Sequence, residues 1–160
     1  MTIQPLALQT NEEILRLLSL QMASYRVEAE LIGFEDIPPL KDGIDSIRKA
    51  GETFYGYFVQ EENETRLAGA ISFSSEGSVI TICRMMVHPN YFRRGIARSL
   101  LQHILKLQEE EGAVLFVVST GTANLPAVQL YQSFGFEMKR VFTVAPGVCL
   151  TTFERPASDS

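Results

Sequence analysis

At 160 residues the chain is long enough for one domain that buries a sizeable core without metal or disulfide support. Hydrophobic residues at 46% and charged residues at 21% are in the ordinary globular range, and no apolar run approaches the roughly 20 residues that span a bilayer. The net charge of −5 argues against general nucleic-acid binding, which needs a basic face.

The N-terminal stretch Met1–Thr10 lacks a basic region followed by a continuous apolar one, so no signal peptide is read there. Cys83 and Cys149 stand alone, without CxxC or a histidine cluster, so no zinc or other metal site is expected. They are read as reduced, core-filling residues of a cytoplasmic protein.

Residues Met1–Leu8 alternate and suggest a first strand. Ile14, Leu17, Leu18 and Met22 recur with helical period from Asn11 to about Ala29, with Thr10 or Asn11 at the cap. Gly33 to Leu40, with Pro38 and Pro39, breaks that helix, and a short helix follows at Gly43–Ala50. Phe54–Gln60, Leu67–Ser74 and Ser78–Val87 then read as a three-stranded meander. From Gly95 the period is helical again, with Ile96, Leu100, Leu101, Ile104 and Leu105 on one face until Gly112. Ala113–Ser119 has the apolar run of a strand buried on both faces. Asn124–Phe134 reads as a helix with Pro126 in its first turn, and Phe136–Val144 and Val148–Phe153 close the chain as strands. The order β-α-α-β-β-β-α-β-α-β-β describes a single α/β domain over 1–155, with a mixed sheet and a short polar tail at 156–160.

Charge is unevenly placed. From Gly77 to Gln108 there is no acidic residue, while Arg84, Arg93, Arg94, Arg98 and Lys106 give +5 and leave −10 for the remainder. Within that block a strand runs through a short loop into a helix whose first turn holds Gly95 and Ala97. The first amides of a helix have no internal partners, and with the helix dipole they form a site for a phosphate. Small residues at 95 and 97 let a diphosphate approach the backbone. Three arginines in a first turn oppose the dipole unless an anion is bound. The Gly-Lys-Ser/Thr of a P-loop and the GxGxxG dinucleotide fingerprint are both missing.

Val87-His-Pro-Asn-Tyr-Phe-Arg-Arg-Gly-Ile-Ala-Arg-Ser-Leu-Leu101 resembles the signature of the GCN5-related N-acetyltransferases (GNAT), in which [Gln/Arg]-x-x-Gly-x-[Gly/Ala] binds the pyrophosphate of acetyl-CoA. Gly95 and Ala97 match the small positions. Phe92 stands where the family has Gln or Arg, so that side-chain contact is missing while the amides of Arg93, Arg94, Gly95, Ile96, Ala97 and Arg98 are retained. Asn124-Leu-Pro-Ala-Val-Gln-Leu-Tyr-Gln-Ser-Phe-Gly-Phe136 is similar to the second family motif, N-x-x-A-x-x-L-Y-x-x-x-G-F.

The resemblance implies a mostly antiparallel sheet with splayed central strands, flanked by helices, and acetyl-CoA as co-substrate. It implies further that Met86 and Val87 pair with the pantetheine arm, that Asn124 helps hold it, and that Tyr131 stands close to the thioester sulfur.

Aminolysis of a thioester needs a neutral amine, stabilisation of the developing oxyanion and a proton for the leaving thiolate. The Val87 N–H is the candidate for the oxyanion, and Tyr131 is the candidate acid. Candidate bases are Glu28, Glu30, Glu35 and Asp36, since Ser78–Val87 holds no carboxylate. Arg84, a charge within an apolar strand, is expected either to pair internally or to meet an acceptor carboxylate. Cys83 is read as structural, His88 as a turn residue, and His103 is given no role. The expected acceptor is a small-molecule or peptide amine, and a homodimer is left open. The competing classes are a non-catalytic acyl-CoA-binding or regulatory module on the same scaffold and, less favoured by the charge, a nucleic-acid binder.

Overall fold

The structure is a computed structural model that describes residues 2–158. Met1, in the expected first strand, and Asp159 and Ser160, in the expected tail, lie outside the described residues. Strand β1 (Thr2–Pro5) leads to helix α1 (Asn11–Ile32). Thr10 is its cap: the Thr10 hydroxyl accepts from the Glu13 N–H, and Glu13 returns a bond to the Thr10 backbone. This capping box satisfies two otherwise orphaned amides, and Gly33 in the left-handed region stops the helix one turn beyond the expected Ala29.

A 3-10 turn (Pro38–Lys41) and helix α2 (Ile44–Arg48) follow. Then come β2 (Thr53–Glu61), β3 (Glu64–Glu76) and β4 (Val79–Val87), a second 3-10 turn (Pro89–Tyr91) and α3 (Ile96–Glu110). The chain ends with β5 (Leu115–Gly121), α4 (Leu125–Ser133), β6 (Glu137–Ala145) and β7 (Val148–Pro156). The strand β7 runs three residues past the expected Phe153, and the Ala157 N–H donates to the Val114 carbonyl.

The strands form one sheet in the order β1-β2-β3-β4-β5-β7-β6, and every pairing is antiparallel except β4 with β5. One layer of core lies under α3 and α4, around Leu100, Leu101, Ile104, Phe116, Tyr131 and Phe153. The other lies under α1, around Ile14, Leu17, Leu18, Phe54 and Met86.

Strand β4 carries one extra residue. Ser72 of β3 pairs with Arg84 and Phe73 pairs with Ile82, so Cys83 is a β-bulge. Before it, Ile80 and Ile82 face the α3 side; after it, Met85 and Val87 face that side and Met86 turns toward α1. A bulge bends its strand and increases its twist. Accordingly β4 and β5 pair only from Val79–Leu115 to Ile82–Val118 and then part. The bulge also corrects the reading of the cysteines: Cys83 is exposed and Cys149 is half-buried, so neither fills the core.

Candidate active site

The gap between β4 and β5 opens into a cleft of about 740 Å³. Its walls come from the end of β4, the first turn of α3, Ser119–Gly121 of β5, the start of α4 and the C-terminal half of α1.

At one end lies the start of α3. Gly95 is the N-cap, with φ of 75°, and it offers no side chain to the helix; the first intrahelical bond runs from Ser99 N–H to the Gly95 carbonyl. The amides of Ile96, Ala97 and Arg98 are therefore left without intrahelical partners. By contrast, α1 and α4 are both capped by side chains, Thr10 and Asn124. A Cβ built on Gly95 meets nothing within 4 Å, so the space in front of these amides is open. Arg93 also takes a left-handed φ, 65°, which turns the loop around the same point. Arg93, Gly95, Ile96, Ala97 and Arg98 line the cleft. Arg94 instead lies over the Tyr91 ring at 5.2 Å, and Arg98 covers Phe134 at 4.8 Å while donating to Ser133 Oγ.

At the inner end, the amides directed away from β3 are those of Met85 and Val87. The Met85 N–H donates to the Tyr25 hydroxyl at 3.2 Å, and the Val87 N–H donates to Ser24 Oγ at 3.1 Å. Of the expected Met86 and Val87, Val87 presents its N–H on the open side, while the Met86 side chain is buried in the α1 layer and Met85 supplies the other open-side donor. Helix α1 supplies hydroxyls where β5 has left the strand, so these two donors are satisfied.

Glu28, Thr120, Asn124 and Tyr131 line the same cleft as Val87. Glu28 of α1 accepts from Thr120 Oγ1 at 3.4 Å and from the Asn124 side chain and the Gly121 backbone. Ile32, one turn on, lies so close to Gly121 that a Cβ there would meet its Cγ2 at 2.4 Å, so a larger residue at 121 would force the Ile32 side chain to shift. Burial raises the Glu28 carboxyl above the usual carboxylate range, against the lowering effect of those hydrogen bonds. Asn124 Oδ1 also accepts from the Ala127 N–H, so one side chain caps α4 and steadies Glu28. Tyr131 is packed edge-on against Phe136 at 5.6 Å, and it lines the cleft. Burial, reinforced by Glu28, pushes the Tyr131 phenol upward, so it holds its proton at neutral pH; Tyr25 is shifted in the same direction for the same reasons.

Glu30, Glu35 and Asp36 are exposed and absent from the cleft wall, and Asp36 pairs with Lys41 at 2.7 Å. Among the described residues lining the cleft, Glu28 is the one carboxylate. Helical phase carries this distinction: Glu28 lies one turn beyond Ser24 and Tyr25 and shares their side of α1, whereas Glu30 does not. Ser24, Tyr25 and Thr120 escaped the sequence reading, because hydroxyls on apolar elements carry no spacing signature.

Arg84 is paired internally. Its guanidinium forks onto Glu52, Nε to Oε1 at 2.9 Å and Nη2 to Oε2 at 3.1 Å, while Nη1 donates to Asp42 Oδ2 at 2.6 Å and Gln21 Oε1 at 3.0 Å. Gln21 also donates to the Pro39 carbonyl and to Asp42, so the network fastens the Pro38–Lys41 turn to β4. Arg84→Ala leaves two carboxylates that are 18% and 11% exposed without a cation. It is expected to cost about 3–5 kcal/mol of stability in urea unfolding, with Arg84→Lys losing less. His88 accepts from the Asn90 N–H as a turn residue, and His103 packs on Tyr55 at 5.4 Å. Among the described residues no group of three or more His, Cys, Asp or Glu is placed to hold a metal ion, and no helix is long and apolar enough to cross a membrane.

The architecture and its cleft have counterparts among known proteins. UPF0157 protein YqkA of Bacillus subtilis is 37% identical over 137 residues, 86% of this chain. The [ribosomal protein bS18]-alanine N-acetyltransferase of Escherichia coli is 34% identical over 56 residues, 35% of the chain. In both cases the match spans 38% of the relative's own length. The crystal structure of the Escherichia coli ribosomal-protein-S18-alanine N-acetyltransferase superposes with a TM-score of 0.75 at 17% identity, covering 99% of this chain and 95% of that one. An aminoglycoside 6'-N-acetyltransferase complexed with coenzyme A superposes with a TM-score of 0.71 at 11% identity, covering 100% and 99%. These structural likenesses establish a shared fold. The model of the acetyltransferase (GNAT) family matches residues 14–136, most of the domain and both of the cleft-forming motifs, and the chain belongs to that family.

Proposed function

We propose that the chain is an acetyl-CoA-dependent N-acetyltransferase that passes the acetyl group directly to an amine. The observation that carries this reading is the meeting of three features in one cleft: uncapped amides at the start of α3, backbone donors where β4 leaves β5, and Glu28, the one carboxylate among the described residues lining it. The open space at Gly95 fits a diphosphate, and the coenzyme A held by a protein of the same fold supports that choice of donor. An alanine amine as acceptor in the Escherichia coli relative supports an amine acceptor here.

The amides of Ile96, Ala97 and Arg98 would hold the pyrophosphate, assisted by the exposed Arg93 and Arg98. The thioester would lie along Met85–Val87, with the Val87 N–H donating to the carbonyl oxygen as charge develops there. Ser24 Oγ gives up that donor as the thioester enters. Glu28, directly or through one water, takes the proton of the attacking amine. Tyr131 donates a proton to the departing sulfur; its raised position keeps it in the donor form throughout the working range.

Thiol release from acetyl-CoA, followed across a panel of amines, tests the reading. Release that depends on an added amine supports it, whereas coenzyme A binding without release on any amine supports a binding module on the same scaffold. Tyr131→Phe keeps the ring packing and removes the proton, so turnover is expected to fall about a hundredfold with little change in acetyl-CoA affinity. An unchanged rate returns Tyr131 to a packing role.

A further inference from the structure

The arginines mark the diphosphate end of the cleft, so the opposite wall faces the acceptor. That wall is made by α1 and the Ile37–Pro39 segment, and it presents Val27, Leu31, Ile32, Ile37 and Pro38 together with Glu28. Its charges are already committed. Arg84 spends its Nε, Nη1 and Nη2 on Glu52, Asp42 and Gln21, and its side chain is 12% exposed, so it has no fork left for a substrate carboxylate. Asp42 and Glu52 share that one guanidinium, so the cluster keeps one net negative charge, but neither carboxylate lines the cleft. Asp36 is paired with Lys41 outside it. Glu28 alone is left for a cation, and the reacting nitrogen needs it.

We infer that the acceptor is a primary amine carried on an uncharged, apolar group, and that polycations and free amino acids are discriminated against. The inference rests on the acetyl-transfer reading and deepens it. A second ammonium on the acceptor would be desolvated against Val27, Leu31 and Ile37 with no further anion on this wall to meet it, and a carboxylate would find no free cation on the same wall, Arg93 and Arg98 lying at the far end of the cleft. A small alkylamine and the N-terminus of a peptide with an apolar first residue share the required chemistry.

Three acceptors with the same amine on the same five-carbon chain separate these effects: pentylamine, cadaverine and 5-aminopentanoate, which end in a methyl, an ammonium and a carboxylate. Leucine amide is added as the peptide-like acceptor. With the purified chain and acetyl-CoA, kcat/KM for pentylamine is expected to exceed that for each charged-end analogue by about tenfold or more. Leucine amide above pentylamine points to peptide termini, and the reverse order points to alkylamines; either order supports the inference. Cadaverine or 5-aminopentanoate used as well as pentylamine overturns it. Leu31 is 46% exposed at the rim, so Leu31→Glu should fold, and it is expected to raise the cadaverine-to-pentylamine ratio about tenfold. An unchanged ratio overturns the placement of the acceptor on this wall. Brisk release with a reversed preference removes only this inference, whereas no release with any of the four amines removes the acetyl-transfer reading and this one with it.

Discussion

Gly95→Glu is expected to weaken coenzyme A affinity on the order of a thousandfold in calorimetry, through a carboxylate set directly against the diphosphate. The fold should survive the change. A Cβ at this position meets nothing within 4 Å, so the cost to the free protein is the strain of a non-glycine residue at φ of 75°. That strain is about 1–2 kcal/mol. Gly95→Ala carries the same strain without the charge or the bulk, and it should bind coenzyme A far more tightly than Gly95→Glu. Equal affinity in Gly95→Glu and the parent chain would place the diphosphate elsewhere.

Glu28→Gln is expected to reduce kcat on the order of a thousandfold while leaving acetyl-CoA affinity nearly unchanged. Gln keeps an acceptor for Thr120 and for the Gly121 amide, so the geometry should persist. Two pH dependences accompany the substitution. In the parent chain the base works only when ionised, so kcat/KM should rise with pH along a limb above the usual carboxylate range, and that limb should vanish in the variant. Stability should move in the opposite sense. Because burial raises the Glu28 pKa in the folded state, the folded chain binds more protons than the unfolded one, and ionisation of Glu28 lowers stability as pH rises through that value. Glu28→Gln should therefore be more stable than the parent at neutral pH, with the advantage disappearing in acid. A variant with parental kcat and a parental pH profile would exclude Glu28 as the base.

Most of the fold can be read along the chain because each element advertises its own period. The α3 stripe of Ile96, Leu100, Leu101, Ile104 and Leu105 is a single helical face, and all five side chains are buried. The uncapped start of α3 was legible for a related reason: it belongs to a contiguous strand, loop and helix. The opposite wall was not. Arg84 meets partners 63, 42 and 32 positions away, at Gln21, Asp42 and Glu52, which only the folded sheet brings together. The bulge left a trace that is simple to interpret once seen. Ile80 and Ile82 are spaced by two, but the next residue facing the same layer is Met85, spaced by three. A strand that skips a beat in this way carries an inserted residue.

The extra residue at Cys83 has a consequence for how this protein tolerates change. Strand β4 is held to β3 along its whole length, whereas its other neighbour follows it for only four residues. The number of residues between Ile82 and Arg84 therefore sets the bend and twist at which β4 parts from β5, while Ile82 and Met85 stay on one layer across it. Replacing Cys83 by another residue leaves that count alone. Deleting it would leave Ser72–Arg84 and Phe73–Ile82 as consecutive pairs of a regular ladder, with Arg84 and Met86 still on the α1 side, and the expected loss is the local bend and twist with which β4 leaves β5. In this segment the presence of an extra residue sets the bend, and the identity of that residue is secondary.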